Sequence, residues 1–429
     1  MRVLLAPVGS HGDVHPFIGL GLGLQARGHA VTLIASEMFA DLAVRHGFEF
    51  APSITRAEYE RTIANPDLWH PKRSVRVIFD EALMRKYLPI GYEHIRSRYA
   101  PGDTVLVAGP LSLPARIAHD KLGIPLATVH LAPIGIFSAV EPAVYPTIRM
   151  RSWWPGALKQ FLFWLGERYL IDPKIRPELN AFRATLGLPP VRRVLGKWIH
   201  SPQLVLGLFP EWFGHPPDWP KHVRTPGFIR YDQADGTPLP AEVEQFLNAG
   251  AAPIVFSFGS AMRTGRKYFD AAVGACAALG NRGLLLAKKT EQIPPGLPAT
   301  ILHVDYAPFS AVFPRAAAVV HHGGIGTTAQ ALAAGVPQII MPMSFDQPDN
   351  AARLRKLGVA RTVPAAQFTD ATLTAALREL FDDATVPSAC AEWRRKLREN
   401  DPLNVACDLV EGLRGMDAAA HSTVNSGMR

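Results

Sequence analysis

Residues 316–350 read AAAVVHHGGIGTTAQALAAGVPQIIMPMSFDQPDN, and this stretch decides the fold class. The apolar run 316–320 predicts a buried parallel strand. Gly323, Gly324 and Gly326 then let the backbone approach a ligand closely, and Thr327-Thr328 opens a helix. Unpaired N–H groups at that helix start, at the positive end of the macrodipole, suit an anion. Gly335 and Pro337 end the helix, residues 338–343 predict the next buried strand, and Asp346-Gln347 falls just past its carboxyl end. In open α/β sheets ligands bind at that edge. A Gly-rich loop flanked by His321 and His322, followed by a carboxylate and an amide suited to polyol hydroxyls, points to a diphosphate joined to a sugar.

The β-loop-α construction occurs in both halves of the chain. Residues 2–8 predict a strand feeding the loop Gly9-Ser10-His11-Gly12-Asp13, a helix from about 16 to 27, and a second strand at 31–35. Residues 253–258 predict a strand feeding Gly259-Ser260, then a helix near 268–279 and a strand at 283–287. Two doubly wound halves follow. At 429 residues the chain exceeds the roughly 250–300 residues that one core supports. The expected division is a first domain at 1–215, a Pro-rich connection at 216–240, a second domain at 241–400 and a flexible tail at 416–429. A helix near 401–413 is expected to cross back onto the first domain.

Hydrophobic residues make up 48% of the chain and its mean hydropathy is +0.06, which permits sizeable cores. The net charge of +8 comes without a Lys/Arg block of the kind that binds nucleic acid. Cys276, Cys390 and Cys407 show neither metal nor redox spacing, which fits a reducing cytosol. The start is too soon broken by Gly9 for a signal peptide, and no apolar run reaches the roughly 18 residues of a membrane span. A cytoplasmic protein is expected, either free or peripheral on the cytoplasmic membrane face.

Residues 306–350 resemble the donor-binding signature of the UDP-glycosyltransferase superfamily. The resemblance covers nearly the whole chain, weakening between about 55 and 201. It implies an α/β protein of the GT-B fold, two Rossmann-like domains facing across a cleft. It further implies that His322 contacts the diphosphate, Thr327 a phosphate oxygen, and Asp346 and Gln347 the sugar hydroxyls, with Tyr306 stacking on the base. Gly324, Gly326 and Thr328 complete that loop and helix start. Gln330 stands where relatives that use a ribonucleotide place a Glu on the ribose hydroxyls, which points to a deoxyribonucleotide donor such as a dTDP-sugar.

Sugar transfer needs a base for the acceptor hydroxyl, and within GSHGDVHPF the qualifying residues are His11, Asp13 and His15. Asp13 matches the family position that holds His in plant enzymes and Asp in sterol and glycopeptide glycosyltransferases, so it is assigned as general base, with His11 in reserve. The competing role for Asp13 is to cap a helix beginning near Pro16, and both roles coexist only if one carboxylate oxygen stays free. His15, next to Pro16, is read as structural. No Asp-x-Asp triplet is present to hold a bridging cation. No metal or cofactor is therefore expected, and leaving-group charge must fall on His322, the Thr327-Thr328 helix start and Ser257, Gly259 and Ser260 of the facing loop. One base opposite the leaving diphosphate implies inversion.

The acceptor must be read from the weaker middle of the chain. Residues 151–171, RSWWPGALKQFLFWLGERYLI, interleave aromatics with Arg151, Lys159 and Arg168. They suit an apolar acceptor tunnel, an interfacial membrane helix or a packed helix. Residues 69–72 and 197–203 add further aromatics with polar neighbours. The blocks WIHSPQLVLGLFPEWF and ARIAHDKLGIP resemble the rhamnosyltransferases of rhamnolipid synthesis, implying dTDP-L-rhamnose as donor and a hydroxyalkanoyloxyalkanoate as lipid-like acceptor. Bacterial sterol, sphingolipid and secondary-metabolite glucosyltransferases share much of the pattern and imply UDP-glucose instead. A UDP-sugar 2-epimerase and a non-catalytic binding protein are the rival classes. An epimerase would need acid/base carboxylates around the sugar and no acceptor pocket, and a non-catalytic protein would not need Asp13.

Overall fold

The computed structural model describes residues 1–70, 73–145, 150–151, 153–232, 238–259, 262 and 265–414. Ser260 and the tail at 416–429 lie outside them, as do Pro71 and Lys72. The first sheet contains β1 (Arg2–Ala6), β2 (Ala30–Ala35), β3 (Glu49–Pro52), β4 (Thr104–Ala108), β5 (Leu126–His130), β6 (Leu204–Gly207) and β7 (Val223–Arg224). The second contains β8 (Ile254–Ser257), β9 (Gly283–Leu286), β10 (Ile301–Val304), β11 (Ala318–His321), β12 (Gln338–Ile340) and β13 (Ala360–Thr362). The helices that bear on the site and its surroundings are α1 (His11–Ala26), α2 (Gly156–Gly166), α3 (Asp172–Thr185), α4 (Arg266–Leu279), α5 (Ile325–Ala334), α6 (Gln347–Lys356) and α7 (Pro402–Glu411).

All strand pairs within the two sheets are parallel, in the orders β3-β2-β1-β4-β5-β6-β7 and β10-β9-β8-β11-β12-β13. Parallel sheets are covered on both faces, which is why the central strands are apolar at successive positions rather than alternate ones. Val3, Leu5, Val105 and Val107 enter one core, whereas Leu4, Ala6, Leu106 and Ala108 enter the core on the other face. The second sheet divides likewise, with Ile254 and Phe256 on one side and Val255 on the other. Strand order reverses at β1/β4 and at β8/β11. These switch points open a crevice beyond the carboxyl ends of the strands, and the loops after β1, β8 and β11 supply the candidate site.

Two boundaries differ from the sequence expectation. Helix α1 starts at His11, not near Pro16, because Ser10 and Asp13 form a capping box that nucleates the helix five residues earlier. Pro16 therefore lies inside the helix and removes one hydrogen bond, to the Gly12 carbonyl. Strand β7 lies within the Pro-rich connection and pairs with β6, so the first sheet extends into 216–240.

Helix α7 returns to the first domain, where Ala406, Cys407 and Val410 join its core. Gly23 on α1 lets it approach closely: a Cβ there would lie 2.8 Å from Leu403. Arg27 fixes the contact through Asp408 at 2.6 Å and Glu411 at 2.9 Å. No helix of the described residues is long and apolar enough to cross a membrane.

Candidate active site

The first domain contributes the start of α1. Ser10 N–H and Ser10 Oγ both donate to Asp13 Oδ2, at 2.7 and 3.0 Å. The capping role thus uses one carboxylate oxygen, and Oδ1 has no hydrogen-bond partner among the described residues, so capping leaves an oxygen for chemistry. Burial pushes the Asp13 pKa up against the two Ser10 donors, which makes the carboxylate a stronger base. His11 packs edge-on against His15 and Phe39, and its Nδ1 is buried without a partner among the described residues. Burial, with a lesser push from Lys288, holds the His11 pKa down at about 4, so the imidazole is neutral near pH 7. His15 is packed edge-on between His11 and Tyr231.

The second domain supplies the opposite wall. Strand β11 ends at His321, whose Nε2 is 2.9 Å from Gln338 Oε1 and whose Nδ1 accepts from Gly323 N–H at 3.1 Å. His322, in contrast, turns its ring into the space between the loops after β8 and β11. Its ring lies between two glycines: a Cβ on Gly259 would come 2.9 Å from its Cε1, and one on Gly324 would come 2.5 Å from its Nε2. The glycines of both loops therefore make room for an imidazole. Burial brings the His322 pKa down to about 4, the Ser257 backbone opposing it, so the ring is neutral near pH 7.

Helix α5 starts at Ile325, after Gly324 as N-cap. Thr327, Thr328 and Gln330 are buried, and Thr328 Oγ1 has no partner among the described residues. Gly326 sits against the first domain, since a Cβ there would lie 4.0 Å from Gly12 Cα. The two helix starts, α1 and α5, thus meet across the cleft.

Asp346 and Gln347 are held by different partners. Gln347 is buried, and its Oε1 accepts from Met343 N–H at 2.8 Å and Ser344 N–H at 3.2 Å, so it shapes the loop after β12. Asp346 faces the cleft. Its Oδ2 accepts from Asn350 Nδ2 at 2.8 Å, and the same amide donates to Gly323 O at 2.9 Å, coupling the Asp346 carboxylate to the Gly-rich loop after β11. Burial, then the charge of Asp13 across the cleft, raises the Asp346 pKa to about 7. Phe345, just before it, holds a left-handed φ of 57° that non-glycine residues seldom adopt, and its ring meets Trp69 of the first domain edge-on at 5.7 Å. Tyr306 is 39% exposed and its hydroxyl donates to the Asp232 carbonyl.

Residues 3–134 match the glycosyltransferase family 28 N-terminal domain, and residues 284–411 the erythromycin biosynthesis protein CIII-like C-terminal domain. The chain is 32% identical to the O-mycaminosyltylonolide 6-deoxyallosyltransferase of Streptomyces fradiae, over 98% of this chain and 100% of that one. It belongs to this glycosyltransferase family. Another relative, glycosyltransferase GtfC of Amycolatopsis orientalis, is 32% identical over 84% of this chain and 85% of that one. The solved glycotransferase of kitacinnamycin shares the GT-B fold with a TM-score of 0.73 at 24% identity, covering 96% of this chain and 99% of that one. Glycosyltransferase VinC, solved with dTDP, does so with a TM-score of 0.66 at 19% identity, covering 96% and 99%. The chain is thus an enzyme that uses a nucleotide-sugar donor. Of these relatives one is named for O-mycaminosyltylonolide and one for kitacinnamycin, and none of the four is named for rhamnolipid or sterol glycosylation.

Sequence reasoning about this glycosyltransferase passed over Lys288, which follows β9, lines the same small cavity as Gly259 and acts on both His11 and His15 across the cleft. No periodic signal marks a lysine at a strand end as facing another domain. It also passed over Asn350 as a coupler, although Asp346 and Asn350 stand four apart on the α6 start, where side chains meet.

Proposed function

We propose that this glycosyltransferase is inverting and metal-independent and moves a 6-deoxyhexose from a dTDP-sugar to a hydroxyl of a hydrophobic acceptor. The favoured pair is dTDP-L-rhamnose and a hydroxyalkanoyloxyalkanoate, giving a mono-rhamnolipid. The observation that carries the reading is the free Asp13 oxygen, held by the capping box opposite Asp346 and the His322 loop. In the proposed reaction Asp13 Oδ1 takes the proton of the acceptor hydroxyl as that oxygen bonds to the anomeric carbon. The bond from that carbon to the diphosphate oxygen breaks, and nucleoside diphosphate leaves with its charge against His322, the α5 start and Lys288. Attack from the face opposite the leaving group inverts the anomeric centre.

Gln330, an amide and not a carboxylate beside the expected ribose position, supports the deoxyribonucleotide. The exposed aromatic residues of α2 support a lipid-like acceptor. A second reading, a polyketide or peptide aglycone as acceptor, is favoured by relatives named for O-mycaminosyltylonolide and for the vancomycin aglycone.

The test is a thermal-shift screen with UDP-, dTDP- and GDP-sugars, followed by product detection across both acceptor classes. A donor at about 100 times its dissociation constant stabilises by roughly 2.7 kcal/mol. A preference for UDP-glucose, or transfer only to aglycones, would remove the rhamnolipid reading.

A further inference from the structure

Helix α2 and the turn that follows it, Glu167–Ile171, have one face anchored and the other uncovered. Lys159, Phe163 and Glu167, at i, i+4 and i+8, point inward. Lys159 Nζ donates to Ala139 O at 2.8 Å, Phe163 stacks on Phe137 with ring centroids 4.2 Å apart, and Glu167 accepts from Gly196 N–H at 2.6 Å. Leu158, Phe161, Trp164, Leu165, Tyr169 and Leu170 lie on the other side, with Phe161 53% and Tyr169 63% exposed; Trp153, just before the helix, is 73% exposed. Seven of the twelve large apolar side chains exposed among the described residues fall between 153 and 170, so they form one patch and not a scatter.

Within the segment that carries this patch, the exposed charges without an ion pair among the described residues have one sign. Between residues 150 and 200 the acids are Glu167, Asp172 and Glu178. Glu167 is buried against Arg193, Asp172 is buried and accepts from Arg193 and Val194 N–H, and Glu178 is paired with Arg85. Arg151, Arg168, Lys174, Arg192 and Lys197 are exposed, with no ion pair among the described residues. Trp and Tyr with Leu and Phe, in a segment whose exposed cations have no ion pair among the described residues, match the chemistry of a membrane interface, where aromatics sit at headgroup level and cations meet lipid phosphates.

We propose that this face docks on an anionic phospholipid bilayer, with α2 lying in the interface plane. Phe137, on which α2 is stacked, belongs to the loop that leaves the carboxyl end of β5. The same loop reaches the second domain, where Val144 N–H donates to Asp349 Oδ1 at 2.9 Å, three residues from Asp346. The docked face and the cleft are therefore joined by one segment, a route for a bilayer-borne acceptor. The use of that route rests on the lipid-like acceptor proposed above; the docking does not.

The full chain, sedimented with phosphatidylglycerol–phosphatidylcholine vesicles and with phosphatidylcholine vesicles, is expected to bind the anionic ones roughly tenfold more tightly, with salt weakening the difference. The variant F161S/W164S/L165S is expected to lose vesicle binding while its Tm and its dTDP affinity by calorimetry stay unchanged. The variant R168E/K174E/R192E is expected to lose the anionic preference. Absence of binding by the parent chain, or equal binding by the apolar variant, would overturn docking. So would a concentration-dependent dimer abolished by the apolar substitutions, which would mean that a second copy covers the face. Vesicle binding without transfer to any lipid acceptor would sink the acceptor reading and leave docking standing.

Discussion

Asp13 and Asp346, one from each domain, face each other across the cleft closely enough that the charge of one raises the pKa of the other. The first holds its position through the capping box at the α1 start, the second through Asn350 on α6. A donor sugar placed between them would meet a proton acceptor on one side and a hydroxyl-binding carboxylate on the other.

Asp13→Asn should lower kcat on the order of 10²–10⁴, with dTDP affinity by calorimetry within about twofold of the parent. The amide keeps an oxygen for the two Ser10 donors, so the helix start should survive, and an unchanged melting temperature would show it. Unchanged turnover would remove Asp13 as the base.

The coupling gives the pH dependence a sign. After burial, the charge of Asp13 is the largest cause of the raised Asp346 pKa, so Asp13→Asn should lower the Asp346 pKa, read by carboxyl NMR titration. The ligand-free Asp346→Asn variant should be more stable than the parent. Raised from 3.8 to about 7 in the folded state, Asp346 keeps its proton where the unfolded chain has lost it, so parent stability falls as pH rises through that window. The gain from Asp346→Asn should be on the order of 1–2 kcal/mol at pH 8 and absent below pH about 4, read by denaturant unfolding at both values.

Lys288→Ala should raise the donor KM about tenfold with a smaller change in kcat, as expected for a cation that meets the diphosphate before and during transfer. Because Lys288 lowers the pKa of His11 and His15, the same variant should move both imidazole titrations upward by NMR. A donor KM equal to the parent's would place Lys288 outside the donor site.

Gly324→Ala puts a Cβ 2.5 Å from His322 Nε2, so the ring must leave its slot. Stability should fall by about 1–3 kcal/mol, as in other overpacked sites, and dTDP should bind at least tenfold more weakly by calorimetry.

Gln347→Ala tests the division of the acid-amide pair. Loss of the acceptor for the Met343 and Ser344 N–H groups should cost about 1–3 kcal/mol even without donor. A stable variant defective only toward the sugar would show that Gln347 acts on the donor and not on its own loop.

The doubly wound class and the place of the Gly-rich loop were legible in residues 316–350, because buried parallel strands are apolar at every position and a Gly-rich turn joins this one to its helix. Asp13 was legible as the candidate base by its place after the first strand. The early start of α1 was legible too, in Ser10-x-x-Asp13, but Pro16 drew the boundary downstream. What no local pattern carried was the pairing of the halves: Asp13 with Asp346, Lys288 with His11, Trp69 with Phe345, and the glycine slot that Gly259 and Gly324 build around His322 from two separate loops. Periodicity and turn chemistry report on a residue's own element, within a few positions along the chain. Charges and close contacts between elements hundreds of residues apart depend on how two finished sheets face each other, and only the tertiary structure decides that.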